Sequence, residues 1–194
     1  MDLNTKQEIL EVLTMPEETF WSQVAPAARE VCQKQFGTSL LVTAMLAYTN
    51  ICKNQCLYCG MRAGNKIPRY RMSPEEILPL AQRAREDGLG RMFLLAGEDQ
   101  NYGFENLLTL IAGLRQQGYT IALGAGELSR TQYQELHDAG VEEYVLKFEM
   151  SHPDSFQRLN PSTTYAKRMG CAQWIKEAGM KLASGNIVDW PGQT

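Results

Sequence analysis

The chain has 194 residues, 44% hydrophobic and 21% charged, with a net charge of -3, a pI near 5.5 and a mean hydropathy of -0.32. That length suffices for one domain with a full core, and without a basic surplus neither nucleic acid nor an anionic membrane is an expected partner. The start, Met1 to Lys6, lacks a cationic segment followed by an apolar run, and the longest apolar stretch, Leu40 to Tyr48, is far short of a ~20-residue membrane span, so a cytoplasmic location is expected.

The first 37 residues read as a helical cap packed on one end of the main fold. Pro16, Glu17 and Glu18 suit a helix start. Phe20, Trp21, Val24, Ala27, Ala28 and Val31 recur at helical spacing, and Gly37 ends the run. Pro26 is expected to kink or split it. Cys32 on this stretch reads as a small buried hydrophobe.

Leu40 to Tyr48 reads as a buried strand that runs into Thr49-Asn50-Ile51-Cys52-Lys53-Asn54-Gln55-Cys56-Leu57-Tyr58-Cys59-Gly60. Three of the five cysteines fall here, spaced C-x3-C-x2-C. Three thiolates from one short loop can hold a metal centre, and they are one ligand short of the four that close an ordinary 4Fe–4S cluster. One iron would then be open to a small molecule. A zinc site would need a fourth ligand, and Cys32, Cys171, His137 and His152 are scattered singly. A disulfide framework fits poorly with an odd count. Buried free cysteines are the remaining alternative, although a loop has little core to fill.

Beyond the loop a pattern repeats. Ser73-Pro74-Glu75-Glu76 opens a helix as a capping box, which ends near Gly88. Arg91 to Ala96 is the second strand, Phe104 to Gln117 a helix, and Tyr119 to Leu123 the third strand. A helix from Ser129 ends at Gly140, and Glu143 to Phe148 is the fourth strand. Ser162 or Thr163 caps a helix that ends at Gly179, and Met180 to Ala183 begins a fifth strand. Strand, helix, glycine, strand is the form of parallel βα units, and it predicts an α/β fold: a β/α barrel or an open doubly wound sheet. Both place chemistry at the carboxyl ends of the strands. The cysteine loop sits at such an end, as do Glu98, Glu127 and Glu149, each of which taken singly reads as a solvated loop acid, although carboxylates at successive strand ends facing one cavity are unusual for packing alone.

The cysteine spacing, with the aromatic Tyr58 before the third cysteine, resembles the signature of the radical S-adenosylmethionine (SAM) enzymes. Together with Arg69 to Glu76, Ala96 to Asp99, Gly126-Glu127, Glu149, Arg168 and Pro191 to Thr194, the chain is similar to the biotin-synthase-like branch, nearest the group of the [FeFe]-hydrogenase maturase and the methylornithine synthase. The resemblance implies a partial (β/α) TIM-type barrel of about five βα units, not closed, over residues 38–194. It implies a 4Fe–4S cluster on Cys52, Cys56 and Cys59, with one open iron chelated by SAM, whose reductive cleavage gives a 5′-deoxyadenosyl radical.

By the same resemblance Gly97 and Glu98 hold the SAM amino group, Glu149 contacts the ribose, Arg168 pairs with the SAM carboxylate, and Tyr58 passes near adenine through its backbone. Gly126, Glu127 and Lys147 are possible substrate or SAM contacts. The implied partners are a small-molecule substrate and a reductase, flavodoxin or ferredoxin as electron donor, and the implied role is cofactor maturation or biosynthesis.

Departures are expected to matter. Leu94, Ala122 and Ala183 stand near where biotin synthase has second-cluster cysteines, so sulfur insertion by that route is not expected. Asp189 and Trp190 replace a Gly-Leu pair ahead of Pro191-Gly192. Five strands cannot close an eight-stranded barrel, so the expectation is a truncated chain or one that needs another to cover the edge. The alternative functional class is a truncated, non-catalytic iron–sulfur or zinc binding module.

Overall fold

The computed structural model describes residues 3–190. The chain divides into two compact units, Met1–Leu41 and Val42–Thr194. The first is helical: α1 Lys6–Thr14, α2 Glu17–Thr19, a π-helical turn Phe20–Val24, and α3 Ala25–Phe36. Thr5 and Glu8 cap α1 reciprocally. Pro26 comes just after the π-helical turn, so the helical run is split there between α2, the π-helical turn and α3 and continues through the proline. Cys32 is exposed, not buried as its sequence context suggested, because its surroundings in this short helical unit bury none of the α3 side chains.

The second unit holds β1 Ala44–Thr49, α4 Pro74–Glu86, β2 Arg91–Ala96, α5 Phe104–Gln116, β3 Thr120–Gly124, α6 Arg130–Asp138, β4 Val141–Val145, α7 Pro153–Leu159, α8 Tyr165–Glu177 and β5 Lys181–Ala183. The strands are all parallel, in the order β1-β2-β3-β4-β5, and the sheet is not closed. The expected partial, open β/α architecture is therefore present. Ser73 opens α4 with Glu76 bonding back to its amide at 2.8 Å, and Ser129 and Gln132 do the same for α6. The helix-ending glycines Gly88, Gly118, Gly140 and Gly179 all take positive φ, which a Cβ would oppose.

Several boundaries differ from the sequence reading. β1 starts at Ala44 because its register begins there, opposite Met92; Leu40, Leu41 and Val42 have no strand to pair with and are exposed. β4 runs Val141–Val145, earlier than expected, and α8 is capped by Thr164, not Ser162 or Thr163. Helix α7 was not anticipated: Pro153 starts it, and Phe156 and Leu159 bury its one apolar edge.

Alternation along the strands sorts the side chains between two faces. Tyr48, Met92, Leu94, Ile121, Leu123 and Tyr144 pack against the helices in one core with Ile77, Leu110, Ile111, Leu114, Tyr133 and Ile175. Leu94 thus faces the helices, and it is Phe93 that sits beside Ala122 on the opposite face. That opposite face also carries Leu95, Gly124, Val145 and Ala183, with an Arg91–Glu143 ion pair at 3.0 Å near its amino end.

Candidate functional site

The cysteine loop leaves β1 at its carboxyl end and is bonded to the segments around it. At the end of β2, the Gly97 amide donates to the Thr49 carbonyl at 3.2 Å, and the Lys53 amide donates to the Glu98 carbonyl at 3.1 Å. The Glu98 amide points at the Cys52 Sγ, 3.4 Å away. A hydrogen bond to a ligand sulfur is one of the levers that tune a cluster's potential. This approach requires glycine: a Cβ on Gly97 would lie 2.2 Å from the Ile51 carbonyl oxygen. On the far side the Leu57 amide donates to the Leu159 carbonyl at 2.9 Å, the Gln55 amide to Ser162 Oγ at 2.9 Å, and the Tyr58 hydroxyl to Asn160 Oδ1 at 2.6 Å. Asn160 is fully buried at the end of α7, so the unanticipated helix supports the loop.

Beneath Gly97, Asp99 is an anchor that sequence reasoning missed. Its carboxylate accepts both Arg71 Nε and Nη2 at 2.7 Å, Thr49 Oγ1 at 3.0 Å, and the Asn101 amide at 3.0 Å. Burial acts to raise its pKa, but these bonds outweigh it and hold the carboxyl below its usual value.

The strand-end carboxylates form a connected series. Glu98 Oε1 accepts the Glu127 amide at 3.0 Å, and its Oε2 lies 3.2 Å from Lys53 Nζ. Gly126, at φ 81°, leaves the space: a Cβ there would sit 2.0 Å from Glu98 Cγ. The Glu127 side chain is 2% exposed and accepts Thr163 Oγ1 at 2.7 Å and Arg168 Nε at 2.7 Å, with Lys167 Nζ at 3.4 Å. Desolvation raises its pKa, and the bonds from Thr163 and Arg168 more than reverse that. Arg168 also donates through Nη1 to the Lys147 carbonyl and stacks over Phe156. Read from the sequence alone, Arg168 would be a polar-face helix residue; it is 7% exposed and lies on the inner side of α8 with Cys171 and Ile175. Glu149 follows β4 with φ 62°, a conformation costly for a non-glycine residue. It is pinned there by backbone bonds to Gly185 and Ile187. Burial raises the pKa of its carboxyl, partly opposed by Lys147, whose Nζ is 3.8 Å away, and by Arg168.

The structure therefore brings Gly97, Glu98, Gly126, Glu127 and Arg168 into one bonded group beside Cys52. Lys147 and Glu149 lie at the next strand end, Lys147 more than half exposed. Glu98 and Glu127, with Gly97, Lys53 and Gln132, line a cavity of about 170 Å³; Glu149 does not. Glu127, considered a possible contact, has both oxygens taken by protein groups. Pro191 to Thr194 lie outside the described residues. Cys52, Cys56 and Cys59 are each half-buried, and burial pushes the Cys56 thiol up. Among the described residues no three His, Cys, Asp or Glu side chains gather to hold a single metal ion. A four-iron cluster instead takes one thiolate at each of separate iron corners, and three half-buried cysteines along one loop suit that donor set.

A family model of the radical SAM superfamily matches residues 46–194. The chain belongs to the radical SAM superfamily. Among curated proteins it is 32% identical over 191 residues to the [FeFe] hydrogenase maturase subunit HydE of Thermotoga maritima, covering 98% of this chain and 55% of that protein. It is 28% identical to the biotin synthase of Thioalkalivibrio sulfidiphilus over 93% of this chain and 54% of that one. Methylornithine synthase (PylB) superposes with a TM-score of 0.85 at 22% identity, covering 95% of this chain and 56% of that one. HydG, a maturase of the [FeFe]-hydrogenase, also gives 0.85, at 23% identity, covering 94% and 43%. These two structures bear on the fold alone. The similarities support placement of this radical SAM chain in the biotin-synthase-like group, and the chain spans about half the length of the curated relatives it matches. Among the described residues no helix is long and apolar enough to cross a membrane.

Proposed function

We propose that this chain is the cofactor-binding core of a radical SAM enzyme acting in cofactor maturation or biosynthesis. Cys52, Cys56 and Cys59 hold a 4Fe–4S cluster with one iron left for SAM. When bound, cluster and SAM supply the reductive cleavage of the SAM C–S bond. The observation that carries this reading is the junction at the end of β2, where Gly97 lets the cysteine loop close on Glu98 and the Glu98 amide meets the Cys52 sulfur.

The chain's own residues bind and orient. The Glu98 carboxylate, fixed by the Glu127 amide and already beside the Lys53 ammonium, is placed to receive the SAM amino group. Arg168 is held by Glu127 through Nε, which fixes the plane of its guanidinium for a carboxylate partner. Glu149 is the ribose contact, and the Tyr58 backbone passes adenine. Lys147 faces a small-molecule substrate. A reductase, flavodoxin or ferredoxin supplies the electron.

Anaerobic reconstitution followed by a SAM titration and reduction with dithionite tests this. The expected result is about four irons per chain, a cluster signal that changes on adding SAM, and release of 5′-deoxyadenosine. A complete cluster whose spectrum ignores SAM, with SAM intact after reduction, overturns it.

A further inference from the structure

We propose that Arg69 is the positioning residue that shapes the cysteine loop before any metal is bound. This rests on the reading of Cys52, Cys56 and Cys59 as the ligands. Arg69 Nη1 donates to the carbonyls of Asn50 at 2.6 Å and Met61 at 2.8 Å, and Nη2 donates to those of Arg62 at 2.7 Å and Asn65 at 3.0 Å. Asn50 precedes the first cysteine, and the other three follow the third. One planar group therefore ties the two ends of the loop together.

The chemistry explains why the group is an arginine. Four carbonyl oxygens turned to one half-buried point repel each other and are costly to leave unpaired. A guanidinium offers five N–H donors in a fixed fork, enough to satisfy all four and to set their relative positions. A lysine ammonium has three donors on one atom and cannot span them. Asn50 clamps the arginine's own segment: its Nδ2 donates to the Pro68 carbonyl at 2.8 Å, and its Oδ1 accepts the Tyr70 amide at 2.8 Å. Among the described residues no carboxylate forms an ion pair with Arg69. Its positive charge stays in the loop that carries three thiolates when loaded. Each bond lies between β1 and α4 and involves no cysteine side chain, so the clamp that closes the ends of the loop does not depend on the metal.

The test compares Arg69→Met, which keeps length and removes the donors, with Arg69→Lys, which keeps the charge. Amide hydrogen exchange is measured on metal-free protein, and iron per chain after anaerobic reconstitution. Both variants are expected to exchange on the order of tenfold or more faster at loop amides such as Lys53, Leu57 and Ala63, with β2 and β3 unchanged, and to take up less iron. Adding methylguanidinium to Arg69→Ala should restore slow exchange and iron uptake. Cys52→Ala is the control: it should keep the slow loop exchange and lose the cluster. Wild-type loop exchange in Arg69→Met, or full protection and iron in Arg69→Lys, overturns the proposal. If Arg69→Met loosens β2 and β3 as well, the methylguanidinium titration decides: no restoration overturns it. If the wild-type protein takes up no cluster, the proposed function fails, while the exchange comparison still decides the role of Arg69.

Discussion

Gly97→Ala puts the junction between the cysteine loop and β2 to a quantitative test. The added Cβ would lie 2.2 Å from the Ile51 carbonyl oxygen and 2.8 Å from Cys52 Cβ. Carbon–oxygen contacts normally begin at roughly 3.3 Å, so the loop and the strand end must part by about 1 Å. The obstacle is backbone, which cannot rotate away as a side chain could. Parting stretches the Lys53-to-Glu98 bond, now 3.1 Å, and the Gly97-to-Thr49 bond, now 3.2 Å, beyond hydrogen-bonding range. Two lost backbone bonds at about 0.5–1.5 kcal/mol each, with overpacking of about 1–3 kcal/mol, give a loss of roughly 2–6 kcal/mol. For a unit of this size, at about 2–4 °C per kcal/mol, that lowers Tm by roughly 4–24 °C. Circular dichroism melting of the metal-free protein and iron per chain after reconstitution are the assays. Gly60→Ala is the matched control, since no heavy atom stands within 4 Å of its Cβ; it should melt within about 1 °C of wild type. If Gly97→Ala melts with Gly60→Ala and fills with iron as wild type does, the junction is not a tight contact.

Gly126→Ala should leave iron binding intact and weaken SAM binding by roughly tenfold or more, read by isothermal titration, because its Cβ must displace the Glu98 carboxylate; unchanged affinity would remove Glu98 from the SAM site. Cys52→Ser, Cys56→Ser and Cys59→Ser should each lose the cluster signal in the visible spectrum, whereas Cys171→Ser, buried where its sulfur faces the Leu128 carbonyl, and the exposed Cys32→Ser should keep it. Glu127 has a folded-state pKa below its ordinary value of 4.5, so the stability it contributes is complete above that value and is lost as pH falls through the folded one. Melting curves across this acid range should therefore fall less steeply for Glu127→Gln than for wild type, from a lower plateau; parallel slopes would count against it.

Parts of this molecule could be read directly because their signal is local. The C-x3-C-x2-C spacing, the Ser73–Glu76 capping box and the glycines that end the helices each lie within a few residues of chain. Other parts depend on partners distant in sequence. Arg168 occupies the same buried helical face as Cys171 and Ile175, whereas its charge alone assigns it to the polar face. It is tolerated there because Glu127 and the Lys147 carbonyl, both from other strand ends, satisfy it. Asp99 looked like a loop acid until Arg71 and Thr49 were brought to it. Leu94 and Phe93 could not be assigned to faces without the register, since a one-residue slip exchanges them. Only a run of isolated basic residues around Arg69, with no acid before Glu75, hinted that the cysteine loop has an internal cation.

These distant partners are joined in series, and that has a consequence for how the site works. The Cys52 sulfur meets the Glu98 amide, the Glu98 carboxylate takes the Glu127 amide, and the Glu127 carboxylate holds Arg168, which in turn holds the Lys147 carbonyl at the end of β4. Glu98 and Glu127 each use the main-chain amide for one link and the side chain for the next. Charged groups so fixed need little rearrangement when a zwitterionic ligand arrives, and the cost of ordering them is met during folding. The same arrangement makes the links interdependent: a shift at Gly97 is passed to Glu98 and on to Arg168. Substitutions along the series should accordingly show coupled effects on SAM affinity, unlike substitutions at Lys147, whose exposed ammonium pairs, among the described residues, with Glu149 at 3.8 Å.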